Sequence, residues 1–424
     1  MHPDDETAGA HLPTSEKGPA GMPDAAPGTG MNRRGVAMMS ASHVVDDIYQ
    51  GCIPALLPFL VAERHYTYAA VSGLTLAATV LSSVAQPVFG WWTDRAPRRW
   101  MVAAGIGTAA TGVALAGLFH SYVVTWLVIA VSGLGVAAFH PEAARAARQA
   151  AGDSNRGMSV FALGGNVGFA FGTLVATPVL LLVGLRGTVL LALPGAAMVV
   201  LLLARLSRTL DGPVGAPRRH TLPRGDDDWP AFRRLTAVVV ARSILFFGLT
   251  SFLALYFIHE RGASTAVGGA ALTTFLAGGA VGTLLGGWIA DRYGRLATIR
   301  WGLAVIPPAL VGMLLAPTLA VAFPLVALVG VTTFMPFSVF VVLGQDYLPN
   351  RIGTASGVTV GLAVSVGGLF TPLLGWVADA TSLHSTLWLL VALPVLALAL
   401  SARLRAPART GTASTGEDVA AGRR

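Results

Sequence analysis

The hexapeptide GWWTDR at residues 90–95 recurs as GWIADR at residues 287–292, 197 positions later. Shorter matches keep nearly the same spacing, at 194 or 195 positions: FHP at 139–141 with FMP at 334–336, NRG at 155–157 with NRI at 350–352, and Pro178 with Pro372. Four matches at almost one spacing indicate an internal duplication. Duplicated halves of this kind are typical of secondary transporters, whose substrate sites lie between the halves.

The composition is that of an integral membrane protein. Hydrophobic residues make up 54% of the chain and charged residues only 12%, whereas soluble domains have about 25% charged residues. The net charge of +8 is carried by short basic clusters between apolar runs, without interleaved aromatic residues, so we expect no nucleic-acid partner. The single cysteine, Cys52, excludes an intramolecular disulfide.

Twelve apolar stretches are long enough to cross a bilayer as helices, which needs about 20 residues each. They cover about 36–61, 68–92, 100–118, 122–146, 157–183, 186–206, 232–258, 266–290, 297–316, 320–345, 355–379 and 384–404. The predicted fold is an all-α membrane protein with two pseudo-symmetric six-helix bundles. The predicted organisation is a tail at 1–34, a bundle at 35–206, a cytoplasmic linker at 207–231, a bundle at 232–405 and a tail at 406–424.

Arginine placement predicts the orientation in the membrane. If both termini are cytoplasmic, the tails, the linker and the loops on that side hold 25 of the 29 basic residues. The opposite loops hold three, Arg64, Arg186 and Arg261, and Arg242 lies within a span. Positive residues favour the cytoplasmic side. Nearly all the basic residues of the chain are arginine rather than lysine. This usage is typical of a GC-rich bacterial genome, so we expect a bacterial cytoplasmic (inner) membrane.

The repeated motif carries a family resemblance. GWWTDRAPRR and GWIADRYGR resemble the G-x-x-x-D-R-x-G-R-R signature of the major facilitator superfamily, with Pro97 in the first copy where the second has Gly294. SHVVDDIYQGCIPALLPFL, FHPEAARAAR and FALGGNVGFAFGTLVA resemble its fosmidomycin-resistance branch. The resemblance implies alternating-access transport, with conformational gating by Gly90, Asp94, Arg95, Arg98, Arg99, Gly287, Asp291, Arg292 and Arg295, together with Arg145 near the end of span 4.

Span 1 carries a polar stripe within an apolar run. His43, Asp46, Asp47 and Gln50 follow the spacing i, i+3, i+4, i+7, which places them on one helical face. Asp46 lies about 15 Å from the start of the span, where a charge costs about 3 kcal/mol. One interpretation makes an aspartate the proton carrier. The other makes the stripe a structural hydrogen-bond cluster that includes His43.

Candidate partners for the stripe lie on other spans. Arg242 is 196 positions after Asp46, close to the spacing of the repeat, so it is nearly the pseudo-symmetric counterpart of Asp46 in the second half. A guanidinium at this depth is either a contact for an anionic substrate or the neutralising partner of the aspartates. Gln50 and Asn166 are further candidates for substrate contact. The glycines at 164, 168 and 172 of span 5, and at 278, 282 and 286 of span 8, allow close helix approach. The superfamily resemblance implies that spans 5 and 8 meet across the interface of the two halves, so these glycines form either a sliding seam or tight static packing.

His140 and Glu142, near the cytoplasmic end of span 4, are candidates for gating or proton relay. The alternative for Glu142 is a helix-end salt bridge with Arg145. We expect no metal site, because no third ligand with suitable spacing is apparent. At the end of span 10, we expect Gln345 and Asp346 to be solvated at the membrane edge.

Together these features favour a proton-coupled exporter of a small anionic or amphiphilic compound; fosmidomycin is suggested by the resemblance alone. Such a protein needs no cofactor, since the proton gradient supplies the energy, and we expect a monomer in the bilayer. A transporter of sugars or organic acids is the alternative, and a membrane sensor without transport is a more remote one. An enzyme is not expected, since no nucleophile motif or phosphate-binding loop is present.

Overall fold

The computed structural model of the protein describes residues 31–152, 154–210, 226–351, 354–355 and 357–406. In this part of the chain all regular structure is helical. The predicted tails, apart from residues 31–34 and the residue 406, and most of the predicted linker lie outside the described residues. The α-helices are α1 Arg33–Arg64, α2 Tyr68–Arg95, α3 Trp100–Ala116, α4 Tyr122–Ala151, α5 Asn155–Val183, α6 Ala192–Leu210, α7 Trp229–His259, α8 Thr265–Tyr293, α9 Arg295–Leu315, α10 Leu319–Phe334, α11 Phe337–Tyr347, α12 Ala363–Ala380 and α13 Leu383–Ser401.

The described helices supply the twelve predicted spans. Ten helical segments are long and apolar enough to cross a membrane, and the shorter apolar helices Trp100–Ala116 and Val366–Ala380 supply two more. Large apolar side chains face outward, as a lipid environment requires: Leu182 is 84% exposed and Leu203 is 73% exposed. The predicted all-α fold with twelve spans is therefore confirmed.

Side-chain caps determine where many of these helices begin. The Asn32 carboxamide accepts from the Gly35 amide at 3.0 Å, and the Asp228 carboxylate accepts from the Ala231 amide at 2.9 Å. Such caps satisfy amides that have no partner within the helix. α1 therefore begins slightly before the predicted span. We call the membrane side on which α1 begins the N-side and the side on which it ends the far side.

Two predicted spans are interrupted. The predicted span 320–345 is divided into α10 and α11, which are separated by Met335 and Pro336. Pro336 has no amide hydrogen to continue the helical ladder. The predicted span 355–379 begins with a π-helical segment, Gly357–Leu362, before α12. By contrast, α4 runs continuously through Pro141, the counterpart of Pro336 in the repeat.

The duplication is visible in the far-side arginines. Arg64 donates to the Gly117 carbonyl at the end of α3 at 3.2 Å, and Arg261 donates to the Ala316 carbonyl at the end of α9 at 2.6 Å. The last carbonyls of a helix lack partners within it. Two of the three basic residues that depart from the charge asymmetry therefore cap corresponding helices in the two halves.

Helices α5 and α8 meet across the interface of the two halves, as expected for spans 5 and 8, but the glycine stripes of these helices pack within the halves. A Cβ at Gly164 would lie 2.7 Å from the Ser40 carbonyl oxygen of α1, and one at Gly278 would lie 2.6 Å from the Ala327 carbonyl oxygen of α10. The remaining members of the two stripes approach the same neighbouring helices, α1 and α10. Small residues allow close approach of two backbones, but their spacing does not identify the partner helix.

Candidate functional site

The close packing of α1 on α5 and α4 assembles a buried group of ionisable side chains. We call His43, Asp46, Asp47 and His140 the histidine–aspartate cluster. The first three come from the middle of α1, and His140 comes from α4. Asp46 is fully buried, Asp47 and His43 are each 8% exposed, and His140 is half-buried. The predicted stripe on α1 and the predicted relay residue on α4 therefore lie together.

His43 is held by both α1 and α5. Its Nδ1 lies 2.8 Å from the Phe161 carbonyl oxygen, and because a carbonyl only accepts, Nδ1 carries the donated hydrogen. The Phe161 ring stacks on the imidazole with 4.4 Å between centroids. The other ring nitrogen, Nε2, lies 3.4 Å from Asp47 Oδ2. The imidazole is thus oriented with Nε2 toward the aspartate.

His140 is oriented in the same way from α4. Its Nδ1 donates to the Val136 carbonyl at 2.9 Å, and its Nε2 lies 3.6 Å from Asp47 Oδ1. The two imidazoles meet edge to face, with 5.2 Å between centroids. Asp47 therefore lies between two imidazole Nε2 atoms, and Gln50 donates a hydrogen bond to Asp47 Oδ1.

Asp46 has a different environment from its neighbour. Its Oδ2 lies 3.6 Å from His140 Nδ1, but that nitrogen already donates to the Val136 carbonyl. Neither carboxylate oxygen of Asp46 has a hydrogen-bond partner among the described residues. An ionised carboxylate with no donor is costly in a buried position, so this residue is the member of the cluster with the greatest need for a proton or a cation.

A cavity of about 40 Å³ lies beside the cluster. Gln50 lines it and also contacts Asp47, so it connects the two. The remaining lining residues come from both halves of the chain and are mostly small or apolar: Ile53, Pro54, Thr75, Ala78, Thr79, Ser82, Ser132, Gly133, Val136, Phe169, Phe247 and Thr250. The cavity is therefore placed where transporters with duplicated halves bind their substrates.

Arg242 is buried in the second half and does not contact the cluster. Its guanidinium donates to the Thr333 carbonyl at 3.1 Å, and its Cζ lies 5.3 Å from the Phe337 ring centroid. The Thr333 carbonyl is in the last turn of α10, where carbonyls lack helical partners. No ion pair is made by Arg242 with any described residue, so the alternative of an Arg242–aspartate pair is not observed.

Glu142 forms the salt bridge that was the alternative to a relay role. Arg145 Nε donates to Glu142 Oε2 at 2.9 Å, and Arg145 Nη2 donates to the other carboxylate oxygen. Glu142 is fully buried, and the described contacts of its carboxylate are to Arg145 rather than to the cluster. A two-point pair between a guanidinium and a carboxylate fixes the orientation of both side chains.

Asn166 lies at the seam between the halves. Its amide donates to the Thr283 hydroxyl of α8 at 3.2 Å, and Thr173 and Thr273 share a hydrogen bond of 2.8 Å further along the same two helices. The seam between α5 and α8 is therefore polar and formed by hydroxyl and amide groups. Asn166 was predicted as a substrate contact, whereas the structure shows it bridging the two halves.

The two copies of the gating motif differ at their turns. α2 is followed by Ala96 in extended conformation, as expected before Pro97, whereas α8 is followed by Gly294 at φ 92°, a conformation that proline cannot adopt. In the first copy, Arg95 and Arg98 stack over the rings of Trp91 and Trp92. The Asp94 side chain lies outside the described part.

The second copy of the motif is tied to α11. Arg295 donates to the Asp346 carboxylate, and Asp291 and Arg292 are exposed. Asp346 was predicted to be simply solvated at the membrane edge, so its ion pair with the motif corrects that expectation. The pair joins the start of α9 to the end of α11, close to the break between α10 and α11.

A far-side contact between the halves was not predicted. The Asp379 carboxylate at the end of α12 accepts from the Tyr68 amide at 2.8 Å and from the Ala69 amide at 2.9 Å, so it caps the start of α2. Thr371 also donates to the Ser72 carbonyl, at 3.1 Å. The sequence does show an acidic residue, Asp379, at the end of an apolar span. It does not indicate which helix Asp379 caps.

Three members of the cluster could hold a metal ion. Ligand atoms of His43, Asp47 and His140 lie within 4.8 Å of one another. The expectation of no metal site rested on the lack of a third ligand close in sequence. That reasoning fails because the third ligand comes from another helix.

Comparisons with known proteins agree with this architecture. The chain is 32% identical over 375 residues to the fosmidomycin resistance protein of Escherichia coli (strain K12), covering 85% of this chain and 90% of that protein. It is also 32% identical over 371 residues to the uncharacterized MFS-type transporter YfnC of Bacillus subtilis (strain 168), covering 84% of this chain and 89% of that protein.

Solved transporter structures share the fold. A bacterial homolog of the human lysosomal transporter Spinster, in an inward-facing and occupied conformation, superposes with a TM-score of 0.73 at 16% identity, covering 86% of this chain and 95% of that one. The nucleoside transporter NupG superposes with a TM-score of 0.68 at 13% identity, covering 88% and 100%. The family model described as Major Facilitator Superfamily matches residues 39–372, and the chain belongs to that superfamily.

Proposed function

We propose that this multi-pass membrane transporter is a proton-coupled exporter of a small anionic or amphiphilic compound. The observation that carries the coupling is the excess of acceptors in the histidine–aspartate cluster. Asp47 and both Nε2 atoms face one another, and Gln50 donates only to Asp47. Acceptors that face each other repel unless a proton or another cation lies between them. The cluster is therefore suited to take up protons.

Proton uptake at this place can bias the helices around the cavity. His43 and the aspartates belong to α1, whereas His140 belongs to α4. A proton on His140 Nε2 would turn its repulsion with Asp47, and hence between α4 and α1, into attraction, and loss of the proton would reverse it. Coupling requires that proton affinity differ between the two access states. A cluster shared by two helices that line the cavity can provide that difference.

The arrangement of the halves supports loading from the N-side. The hydrogen bonds described between the halves run from Asn166 and Thr283, near the middle of the membrane, to Tyr68 and Asp379 on the far side. On the N-side, a Cβ at Gly287 would meet no atom within 4 Å. The asymmetry of the basic residues supports a cytoplasmic N-side. We propose that both termini are cytoplasmic, in a bacterial cytoplasmic membrane, and that the cavity loads from the cytoplasm.

Arg242 supports an anionic substrate. It lies one helical turn before Phe246, whose ring is 6.0 Å from that of the cavity residue Phe169. A buried guanidinium without an acidic partner among the described residues is costly, and its planar fork suits phosphonate or carboxylate groups. One relative is a fosmidomycin resistance protein, and fosmidomycin carries such an anionic group. We propose that Arg242 attracts the anionic part of the substrate.

A panel of compounds tests the substrate class. Fosmidomycin, organic acids and sugars would be compared for resistance and for efflux in a host that lacks its major efflux pumps. Efflux of fosmidomycin or another anion supports the proposal. Transport of uncharged sugars alone would instead favour a metabolite transporter, and absence of flux for every class would favour a protein that does not transport.

A pair of arginine variants tests the anion contact. Arg242→Ala removes a charged donor, whose hydrogen bonds contribute about 1.5–3 kcal/mol each, so we expect affinity for the anion to fall about 10-fold to 100-fold. Arg234→Ala is the matched control, because Arg234 is an exposed residue of the same helix. Equal affinity of the two variants in a binding assay would confine Arg242 to a structural role. We further propose that the protein acts as a monomer without a cofactor.

A further inference from the structure

We infer that His43, Asp47 and His140 form a binding site for a divalent transition-metal ion such as Zn²⁺. One ligand atom from each residue lies within 4.8 Å of the other two. Two imidazoles and one carboxylate are a common ligand set for zinc, with the fourth position left to water or a substrate. The inference goes beyond the proposed transport function, and it holds whether or not the chain couples to protons.

The separations between ligand atoms favour a shared ion over direct hydrogen bonds. His43 Nε2 lies 3.4 Å from Asp47 Oδ2, and His140 Nε2 lies 3.6 Å from Asp47 Oδ1. Nitrogen–oxygen hydrogen bonds are usually 2.7–3.2 Å long. Around a tetrahedral ion with bonds of about 2.0–2.1 Å, neighbouring ligand atoms are about 3.4 Å apart. Each imidazole therefore lies at about this spacing from one of the two oxygens of Asp47, and the set with one ligand atom per residue lies within 4.8 Å.

The backbone holds both imidazoles in the form that binds metal. His43 Nδ1 donates to the Phe161 carbonyl, and His140 Nδ1 donates to the Val136 carbonyl. In each neutral ring the lone pair is consequently on Nε2, the atom that faces Asp47. Metal-binding histidines commonly donate their second nitrogen to a backbone carbonyl in this way. Gln50 supplies the corresponding outer contact to the Asp47 carboxylate.

Gly165 leaves space beside the ligand atoms. A Cβ at this position would lie 2.6 Å from Asp47 Oδ2 and 2.7 Å from His43 Nε2. Any residue other than glycine would therefore occupy the volume next to both atoms. Asp46 adds a second reason for a cation, because it is fully buried and neither of its oxygens has a hydrogen-bond partner. Its Oδ2 lies 3.6 Å from the His140 ring.

The test measures Zn²⁺ binding to the purified full-length protein in detergent, by competition with a chromophoric chelator, without a histidine tag. The variants are His43→Asn, His140→Asn and Gly165→Ala. His120→Asn is the matched control, because His120 is exposed in the loop between α3 and α4. Apart from His120 in the control, the histidines outside the cluster are the same in all these proteins, so a loss of affinity beyond that of the control reports on the cluster. Thermal unfolding without metal checks that each variant is folded.

We expect the wild type and His120→Asn to bind one Zn²⁺ tightly, and to show a higher unfolding temperature when Zn²⁺ is present. We expect affinity to fall at least 100-fold in His43→Asn and His140→Asn, and to fall in Gly165→Ala, which removes no ligand. If His43→Asn does not fold, the other two variants decide. Equal Zn²⁺ affinity in the wild type, His140→Asn and Gly165→Ala would overturn the inference, and so would absence of tight binding in the wild type. Neither result depends on transport.

Discussion

Replacing Asp379 with alanine is expected to loosen the far-side closure of the transporter. The carboxylate accepts from the Tyr68 and Ala69 amides at 2.8 and 2.9 Å, so one side chain of the second half caps a helix of the first. Loss of a helix cap costs about 0.5–2 kcal/mol. The negative charge near the helix start contributes about 0.3–1 kcal/mol more, and it is screened because Asp379 is exposed.

The expected destabilisation of the closed far side is therefore about 1–1.5 kcal/mol, which is roughly a fivefold to tenfold shift in population. The assay is a distance measurement by electron spin resonance between labels at His120 and Thr318, two exposed far-side loop positions in different halves. Cys52 is fully buried, so we expect it to remain unlabelled. Asp379→Ala should increase the population at longer distances.

Glu260→Ala is the matched control for this experiment. Glu260 is an acidic residue on the same side, and it accepts from the His384 amide within its own half. It should leave the distance distribution unchanged. Identical distributions for Asp379→Ala and the wild type would refute the reasoning that the cap holds the halves together, and an equal shift in Glu260→Ala would attribute the effect to general loss of negative charge.

Two further predictions concern stability. Gly168→Ala should lower the free energy of unfolding by about 1–3 kcal/mol, because its Cβ would collide with the Val44 backbone of α1. Gly287→Ala is the control and should have almost no such effect, because its Cβ meets no described atom within 4 Å. Equal unfolding temperatures for the two variants would contradict the prediction. Arg261→Ala removes the donor to the Ala316 carbonyl and should cost about 0.5–1.5 kcal/mol; an unchanged midpoint of denaturant unfolding would show that water replaces this cap.

The fold was largely predictable because it depends on features that act locally. Apolar length determines where a helix can cross the membrane, and the repeated motif indicates the duplication without any knowledge of packing. The broken tenth span shows the limit of this reasoning. Pro141 and Pro336 occupy corresponding positions of the repeat, yet only the second separates two helices, because the surroundings decide whether a helix continues past a proline.

The site was predictable in part. The spacing of polar residues correctly places His43, Asp46 and Asp47 on one face of α1, since helical periodicity requires only the sequence. The contact with His140 depends on how α1 and α4 pack, which the spacing does not encode. The repeat offset relates Arg242 to Asp46 by pseudo-symmetry, but related positions need not touch, and Arg242 instead contacts Thr333.

The glycine stripes show the same limit. Their spacing indicates close approach of two helices, and close approach is observed at Gly164 and Gly278. The partner helices belong to the same half in both cases. The hydrogen bonds described between the halves use threonines, Ser251, Asn166 and Asp379, which are single polar residues without a repeating pattern that could be recognised in advance.

The most direct test of proton coupling compares uphill transport by the wild type and by the double variant Asp46→Asn and Asp47→Asn. Both proteins would be purified, checked for folding and reconstituted into proteoliposomes with a substrate found in the compound panel. An imposed pH gradient should let the wild type concentrate that substrate, whereas the variant should only equilibrate it. Undiminished uphill transport by the variant would contradict the account, because the aspartates would then carry no proton that drives transport.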